Sequence, residues 1–171
     1  MLKTQIAASL EQKFSKSGFA EPSVAQLKTA CHVSLRTLYK HYPSKEEMIA
    51  GALQHRHQRY LTFLLADSPA AGLSCVQHIF NRLGKWMIEY APNGCMSMNA
   101  LAAFPDNDVI YQTIQAHKKD VRDFLAKQSL REDLATQLFL LHEGVSSAWP
   151  VIQDDAVDSA QHTILTLLTE K

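Results

Sequence analysis

The chain has 171 residues, of which 46% are apolar and 20% are charged, and its formal net charge is zero. A chain of this length and composition can bury a core of its own and holds one or two domains. It has no apolar run of the roughly 20 residues that a membrane-spanning helix needs, and it does not open with a signal-peptide pattern. We therefore expect a cytoplasmic protein with no membrane partner.

The spacing of cysteine and histidine residues argues against metal or disulfide chemistry. Cys31, Cys75 and Cys95 are far apart in the chain and form no Cys-x-x-Cys pair. None of the eight histidines lies in a His-Glu-x-x-His pattern. We expect neither a metal site nor a cofactor.

Charge is unevenly distributed along the chain even though it sums to zero. Residues 1–45 carry seven basic side chains and two acidic ones, an excess of five positive charges that the remaining residues cancel. This asymmetry is typical of a basic nucleic-acid-binding domain joined to an acidic partner domain.

The first two predicted helices lie in this basic region. Apolar residues recur at helical spacing from Ile6 to Phe14 and predict a first helix that ends at Gly18. Ser23 and Gln26 form a capping box that predicts the start of a second helix.

Two further helix starts lie between residues 33 and 48. Ser34 can cap one helix, and Ser44 forms a capping box with Glu47 for the next. Pro43 separates the two helices, because proline cannot donate the hydrogen bond that would continue the first one.

The helix after Ser34 has two different faces. Leu38 and Tyr42 lie four residues apart and face inward, whereas Arg36 and Lys40 project from the opposite side. A short basic face with hydroxyl and aromatic neighbours suits a recognition helix in the DNA major groove, where Arg reads guanine and Thr, Tyr and Lys hold phosphates. An ordinary solvated helix face is the alternative.

This stretch resembles the helix-turn-helix signature of TetR-type transcriptional repressors. The residues that carry the resemblance run from Thr37 to Glu46, T-L-Y-K-H-Y-P-S-K-E, and extend back through Gly18-Phe19 and Ser23-Val24. His32 departs from the family pattern where glycine is usual in the turn, and Lys28 departs where a small residue is usual. We expect seven residues to contact operator DNA: Ser34, Arg36, Thr37, Tyr39, Lys40, His41 and Lys45.

The resemblance implies an all-α fold, with a three-helix helix-turn-helix domain over residues 1–45 and a larger ligand-binding and dimerisation domain over residues 46–171. A long helix is predicted from Lys45 to about Leu65, with a polar middle from Gln54 to Arg59 that we expect to be solvated between two apolar ends.

Two more helices follow in the body. An apolar stripe from Val76 to Tyr90 predicts one of them, and the segment from Cys95 to Phe104, which has no polar face, is expected to be buried. Asp106 or Asn107 can cap the next helix.

Apolar residues recur at steps of three and four on either side of Pro150, where we expect the break between the last two helices. In the TetR family these helices pair with those of a second subunit, and residues 137–144, Q-L-F-L-L-H-E-G, are similar to a stretch often found there. The resemblance thus implies a homodimer interface that contains Leu134, Leu138, Leu141, Val145, Val157, Ala160, Ile164 and Leu168. Packing within one chain is the alternative, because an apolar stripe does not identify its partner.

The body domain of the family binds small molecules between its central helices. The resemblance therefore implies an effector pocket lined by Phe63, Phe80, Leu83, Trp86, Met87, Tyr90, Cys95, Met98, Tyr111 and Ile114. Aromatic and methionine side chains line adaptable cavities, but they also fill cores.

These observations predict a DNA-binding regulator, most simply a repressor that binds a near-palindromic operator as a dimer and is released by a small apolar or amphipathic effector. Cys95 follows Pro-Asn-Gly at a predicted helix start, which leaves open a redox-sensing or electrophile-sensing thiol. His32 and Lys28 leave open a helical interaction protein without DNA binding. We expect no enzyme, because nothing in the sequence brings Cys95 together with a base such as His117 or His142.

Overall fold

The computed structural model describes residues 1–169, which form nine α-helices, one turn of 3-10 helix and no strand. The helices are α1 (Leu2–Ser17), α2 (Val24–Ala30), α3 (Leu35–His41), α4 (Lys45–Leu65), α5 (Leu73–Tyr90), α6 (Met96–Ala103), α7 (Asp108–Ser129), α8 (Ala135–Ile152) and α9 (Asp154–Thr169), with the 3-10 turn at Glu132–Leu134. The predicted all-α fold is confirmed. Within these residues, no helix combines the length and the apolarity that crossing a membrane would require.

The described residues divide into two compact units. The first unit comprises residues 1–59 and 96–117, and the second comprises residues 60–95 and 118–169. The boundary predicted after residue 45 does not coincide with this division, because α6 and part of α7 share a core with the amino-terminal helices. Helix α4 contributes its residues up to Arg59 to the first unit and its residues from Tyr60 to the second.

The first unit is built on the head, which we define as helices α1 to α3. Its core contains the fully buried side chains of Leu10, Leu27 and Leu38, together with Met48 from α4 and Ile110 from α7. The capping box at the start of α2 forms as predicted: the Ser23 hydroxyl accepts the Gln26 N–H at 3.3 Å, and the Gln26 side chain accepts the Ser23 N–H at 2.9 Å.

The turn between α2 and α3 has a left-handed backbone conformation at His32, with φ at 51°. The N–H of His32 donates to the carbonyl of Thr29 at 3.1 Å, and the N–H of Val33 donates to the carbonyl of Lys28 at 3.4 Å. These two bonds form a Schellman motif, which satisfies the last carbonyls of a helix. The turn therefore forms although His32 replaces the usual glycine, at a cost of about 1 kcal/mol in backbone strain.

The polar middle of α4 is only partly solvated, so the expectation of a solvated middle was wrong for one of its faces. Gln54 and Gln58 are exposed, whereas the other face is buried against α1. Arg56 and His57 are each 8% exposed. Glu11 of α1, itself 4% exposed, accepts hydrogen bonds from Arg59 at 2.7 Å and Arg56 at 3.1 Å, and its other oxygen lies 2.7 Å from Nδ1 of His55. The carboxylate lies more than 40 residues before its partners, so helical periodicity within α4 could not show it.

The second unit packs α5 against α8 and α9 around an apolar core. The stripe predicted in α5 is confirmed, since Val76, Ile79, Phe80 and Leu83 have no exposed surface.

The break between the last two helices was predicted at Pro150 and lies instead at Gln153, where φ is 47°. Helix α8 continues through Pro150 to Ile152, and the N–H of Gln153 donates to the carbonyl of Trp149 at 3.0 Å. A proline so near the end of a helix removes one hydrogen bond without stopping the last turn.

Helix α6 is buried on one face only, so the expectation of a fully buried segment was wrong. Met96 and Ala100 are buried, whereas Met98 is 45% exposed and Asn99 is also exposed. Asn107 caps the following helix, because its side-chain oxygen accepts the N–H of Ile110 at 3.1 Å.

Candidate nucleic-acid interface

Helix α3 is held in place by local hydrogen bonds at its start and by apolar packing on its inner face. The Ser34 hydroxyl accepts the N–H of Thr37 at 3.0 Å and lies 2.8 Å from the Thr37 hydroxyl. Leu38 has no exposed surface. The Tyr42 hydroxyl donates to the carbonyl of Lys3 at 3.3 Å, which ties the end of α3 to α1. Burial raises the pKa of Tyr42, so this hydroxyl keeps its proton.

The ring of Tyr42 packs directly against the backbone of Gly51 in α4. A Cβ atom added at Gly51 would lie 2.3 Å from Cε1 of Tyr42, far inside the contact distance of two carbon atoms. Position 51 therefore needs a residue without a side chain. Glycine at this position allows α4 to pack closely against Tyr42 at the carboxyl end of α3.

The outer face of α3 presents the predicted DNA-contacting side chains to solvent. Arg36 and Lys40 are exposed one turn apart, Tyr39 beside them is 41% exposed, and Ser34 is exposed at the cap. Thr37 and His41 are half-buried on the other flank of the same face. Six of the seven predicted residues therefore lie on one short helix and its cap. An arginine and a lysine in this arrangement can reach base edges and phosphates in a major groove.

Leu35 is a residue of this surface that the sequence analysis missed. It is the first residue of α3 and is 45% exposed. The signal that could have found it is its spacing, since Leu38 and Tyr42 already supply the inward positions and Leu35 lies four residues before the exposed Tyr39.

Lys45, the seventh predicted residue, has a partner within the first unit. Its ammonium group donates to the carbonyl of Ala20 at 2.9 Å and lies 6.0 Å from the ring centre of Phe104. Burial lowers the pKa of Lys45, and the charge of Glu46 acts in the opposite direction. An ammonium group has three N–H donors, so the bond to Ala20 still leaves donors that can reach a phosphate.

The segment that contains this surface matches a known family. Residues 6–52, which include α2, α3 and most of α1, match the family model described as bacterial regulatory proteins, tetR family. This segment of the chain is therefore similar to the tetR family. The Schellman turn between α2 and α3 forms even though His32 and Lys28 depart from the family pattern.

Solved structures of TetR-family regulators share the fold over the whole chain. One is a TetR-family transcriptional regulator from Streptomyces coelicolor, which is 18% identical, with a TM-score of 0.82 over 99% of this chain and 90% of that chain. Another is a TetR transcriptional regulator from Legionella pneumophila, 16% identical, with a TM-score of 0.75 and coverage of 96% of each chain.

A third solved structure, the reduced form of E. coli NemR, is 16% identical to this chain, with a TM-score of 0.74 over 99% of this chain and 98% of that chain. A comparison with curated proteins gives no significant match. At these identities the likeness establishes the fold of the chain.

The ten side chains predicted to line an effector pocket are divided between the two units. The second unit holds Phe63, Phe80, Leu83, Trp86, Met87, Tyr90 and Cys95, and the first holds Met98, Tyr111 and Ile114. Phe80 and Leu83 have no exposed surface and fill the core of the second unit, and Ile114 does the same in the first. Met98 and Tyr111 are 45% and 47% exposed.

Four aromatic side chains form a cluster in the second unit. The ring centres of Trp86 and Tyr90 are 4.7 Å apart, those of Trp86 and Phe63 are 5.4 Å apart, and those of Trp86 and Tyr60 are 4.9 Å apart. Phe63 and Tyr90 are half-buried. A partly open aromatic cluster of this kind can contact an apolar ligand as well as fill a core.

Cys95 begins a chain of polar contacts in the second unit. The ammonium of Lys118 lies 3.5 Å from its sulfur and donates to Glu143 at 2.6 Å. The other oxygen of Glu143 accepts from Nδ1 of His142 at 3.0 Å, and Nε2 of His142 then accepts from the Tyr60 hydroxyl. The contact of the thiol is therefore a lysine and not the histidine base that an enzyme would need. Sequence spacing could not place Lys118 beside Cys95, because Cys95 precedes α6 and Lys118 lies 23 residues later on α7.

The charges of this network stabilise one another. Burial alone would raise the pKa of Glu143, but the hydrogen bond from His142 and the charge of Lys118 lower it to about 2. Burial alone would lower the pKa of Lys118, but the facing charges of Cys95 and Glu143 raise it. Among residues 1–169, no group of three or more potential ligands is placed to hold a metal ion.

The residues predicted to form a dimer interface are mostly core residues of the chain itself. Leu134, Leu138, Val145, Val157, Ala160 and Ile164 are all less than 10% exposed, and only Leu141 and Leu168 are half-buried. A side chain with no exposed surface cannot contact a second subunit. Leu138 and Ile164, at 0% exposure, therefore cannot contact a second subunit, and most of the predicted stripe is the inner face of α8 and α9. The outer faces carry Leu140 at 61% and Leu165 at 48% exposure.

Proposed function

We propose that this protein is a TetR-family regulator, a homodimeric repressor that binds a near-palindromic operator and is released by a small effector. The observation that carries the proposal is the exposed row of Arg36 and Lys40 on a capped, rigidly held α3, within a basic head that matches the family model. Two such helices on a dimer would enter successive major grooves about 34 Å apart.

DNA binding is tested with a gel shift on intergenic DNA upstream of the protein's own gene, measured across a salt series. Lys40→Ala and Lys45→Ala should weaken binding to all sequences and reduce the salt slope by about one unit per subunit, because each removes one phosphate contact. Arg36→Ala should relax the preference at one base pair per half-site, since Arg reads a base edge. Unchanged binding by both Lys40→Ala and Arg36→Ala would show that α3 is not the DNA-contacting element.

We propose that the dimer forms through the outer faces of α8 and α9, with Leu140, Leu141, Leu165 and Leu168 at the interface. The support is apolar exposure on two adjacent helices of the second unit. Leu140→Glu and Leu165→Glu should give folded monomers by light scattering, with operator affinity reduced because a monomer engages only one half-site. Thr163, which is exposed on α9, offers a control substitution to Glu on the same helix.

The proposed effector is an apolar or amphipathic molecule that contacts the aromatic cluster of Tyr60, Phe63, Trp86 and Tyr90. It would release DNA by favouring a conformation of α4 in which the distance between the two recognition helices of the dimer no longer matches the spacing of successive major grooves. Coupling of this kind is typically 1–3 kcal/mol, about 5- to 150-fold in affinity. Because coupling is reciprocal, operator DNA must weaken effector binding by the same factor in calorimetry. Equal affinity with and without operator would exclude this mechanism for the compound tested.

Cys95 supports a second candidate function, in which the repressor responds to oxidants or electrophiles. Lys118 places a positive charge 3.5 Å from the sulfur, and the thiolate is the form that reacts. The other two cysteines are buried, and burial raises the pKa of both thiols, that of Cys31 to about 11. Cys95 is half-buried and is the accessible thiol of the three.

The thiol candidate is tested by brief treatment with N-ethylmaleimide, followed by peptide mass spectrometry and a gel shift. The expected result is a single adduct at Cys95, slower labelling in Lys118→Met and loss of operator binding. Cys95→Ser should keep operator binding under treatment, whereas Cys75→Ser should respond as the native chain does. Release of DNA from treated Cys95→Ser would remove this candidate.

A further inference from the structure

Leu35 gives the outer face of α3 an apolar element that the proposed phosphate and guanine contacts do not use. It is 45% exposed in the first turn of the helix, and Tyr39, one turn later, is 41% exposed. Residues four apart lie on the same side of a helix, so this apolar pair runs alongside the basic pair Arg36 and Lys40.

Leu35 is not part of the core of the head. Leu38 and Tyr42 supply the buried side of α3, with 0% and 5% of their surfaces exposed. A single exposed leucine on a protein surface is ordinary. The position of this one is different, because side chains in the first turn of a recognition helix are those that reach base edges in the major groove.

The chemistry of the groove identifies what an apolar side chain can recognise there. Thymine presents its 5-methyl group in the major groove, whereas guanine, cytosine and adenine present polar donors and acceptors at their edges. The excess of positive charge in residues 1–45 favours an acidic partner such as duplex DNA over an apolar protein surface.

We infer that Leu35 reads the methyl group of one thymine in each half-site, next to the base contacted by Arg36. This inference rests on the proposed DNA-binding function and adds a specificity determinant to it. Hydrophobic burial of one methyl-sized group corresponds to about a fourfold change in affinity.

The experiment removes the methyl group and leaves base pairing intact. A binding sequence is first selected from a random duplex pool, and each thymine is then replaced singly by deoxyuridine. The native chain should lose about fourfold in affinity at one thymine of each half-site and little elsewhere. Leu35→Ala should bind the thymine and deoxyuridine duplexes equally. Lys40→Ala, the matched control one turn along the exposed row, should bind both more weakly and keep the fourfold difference.

Leu35→Gln is a second variant of similar size whose side chain cannot make the apolar contact, and it should also lose the difference. Circular dichroism checks that each variant is folded. The inference is overturned if no deoxyuridine substitution weakens binding by the native chain, or if the penalty persists in folded Leu35→Ala and Leu35→Gln. Failure to select any sequence would instead count against the proposed DNA-binding function itself.

Discussion

Helix α3 and the pair α8 and α9 were both predicted to present a functional face to a partner molecule. In the structure, the predicted face of α3 is exposed, whereas most of the predicted face of α8 and α9 is buried. On α3 the predicted side chains are mostly exposed, including Arg36 and Lys40. On α8 and α9 five of the seven predicted side chains are buried inside the chain, including Leu138 and Ile164 at 0% exposure.

The difference follows from the kind of residue that carried each prediction. Exposed charged side chains on a short capped helix need no partner within the chain, because burying an unpaired charge is costly. An apolar stripe needs cover but does not specify whether its own chain or a second subunit provides it. The charge pattern of α3 therefore predicted an exposed surface correctly. The apolar pattern of α8 and α9 predicted only that these side chains pack against something, without identifying the partner.

The largest expected effect is the difference in stability between a glutamate placed on the inner face of α8 and one placed on its outer face. Leu138→Glu replaces a side chain with 0% exposure and should cost more than about 4 kcal/mol, because it removes apolar burial and buries a charge. Leu140→Glu, at 61% exposure, should lower the melting temperature much less, because it buries no charge within the chain and removes only the proposed dimer contact. Thermal unfolding followed by circular dichroism measures both. Equal stability of the two variants would contradict the assignment of inner and outer faces.

Glu11 carries a buried charge, in contrast to the exposed charges of α3, and its removal should destabilise the chain. Glu11→Ala removes the carboxylate that accepts hydrogen bonds from Arg56 and Arg59, and it should reduce the free energy of unfolding by about 3–5 kcal/mol. Glu21→Ala is the control, because Glu21 is an exposed carboxylate in the head. Urea unfolding separates the two, and a loss below about 1 kcal/mol for Glu11→Ala would mean that the buried cluster contributes little.

The low pKa of Glu143 predicts a pH dependence of stability. Its ordinary value of 4.5 falls to about 2 in the folded chain, so the unfolded chain binds the proton more tightly. The stabilisation is therefore fully present above about pH 4.5 and is lost as pH falls toward 2, for a total of about 3 kcal/mol. Glu143→Gln should flatten this part of the stability curve. Parallel acid limbs in the native and variant chains would count against the pairing with Lys118 and His142.

The smallest effect concerns the turn that positions α3. His32→Gly should stabilise the chain by about 1 kcal/mol, since glycine adopts the left-handed conformation without the strain of a Cβ atom. The matched control is Ser34→Gly, which removes the hydroxyl cap and gains no such relief, and it should destabilise the chain slightly. A lower melting temperature for His32→Gly would show that the histidine side chain stabilises the turn in some other way.

The sequence by itself determined the features of this protein that depend on neighbouring residues. Ser23 and Ser34 cap their helices as predicted, because a cap and its amide are three residues apart. Helical spacing likewise determined which side of α3 and of α5 is apolar. The helical fold and the exposed basic row followed from these local rules.

Only the tertiary structure decided which residues meet across long separations. It paired Glu11 with the middle of α4, placed Lys118 beside Cys95, and covered the stripe of α8 and α9 with α5. No spacing rule links such residues, because the chain between them can fold back in many ways. A polar run or an apolar stripe thus indicates that its side chains need a packing or hydrogen-bonding partner. Which residues form that partner depends on how distant helices pack together.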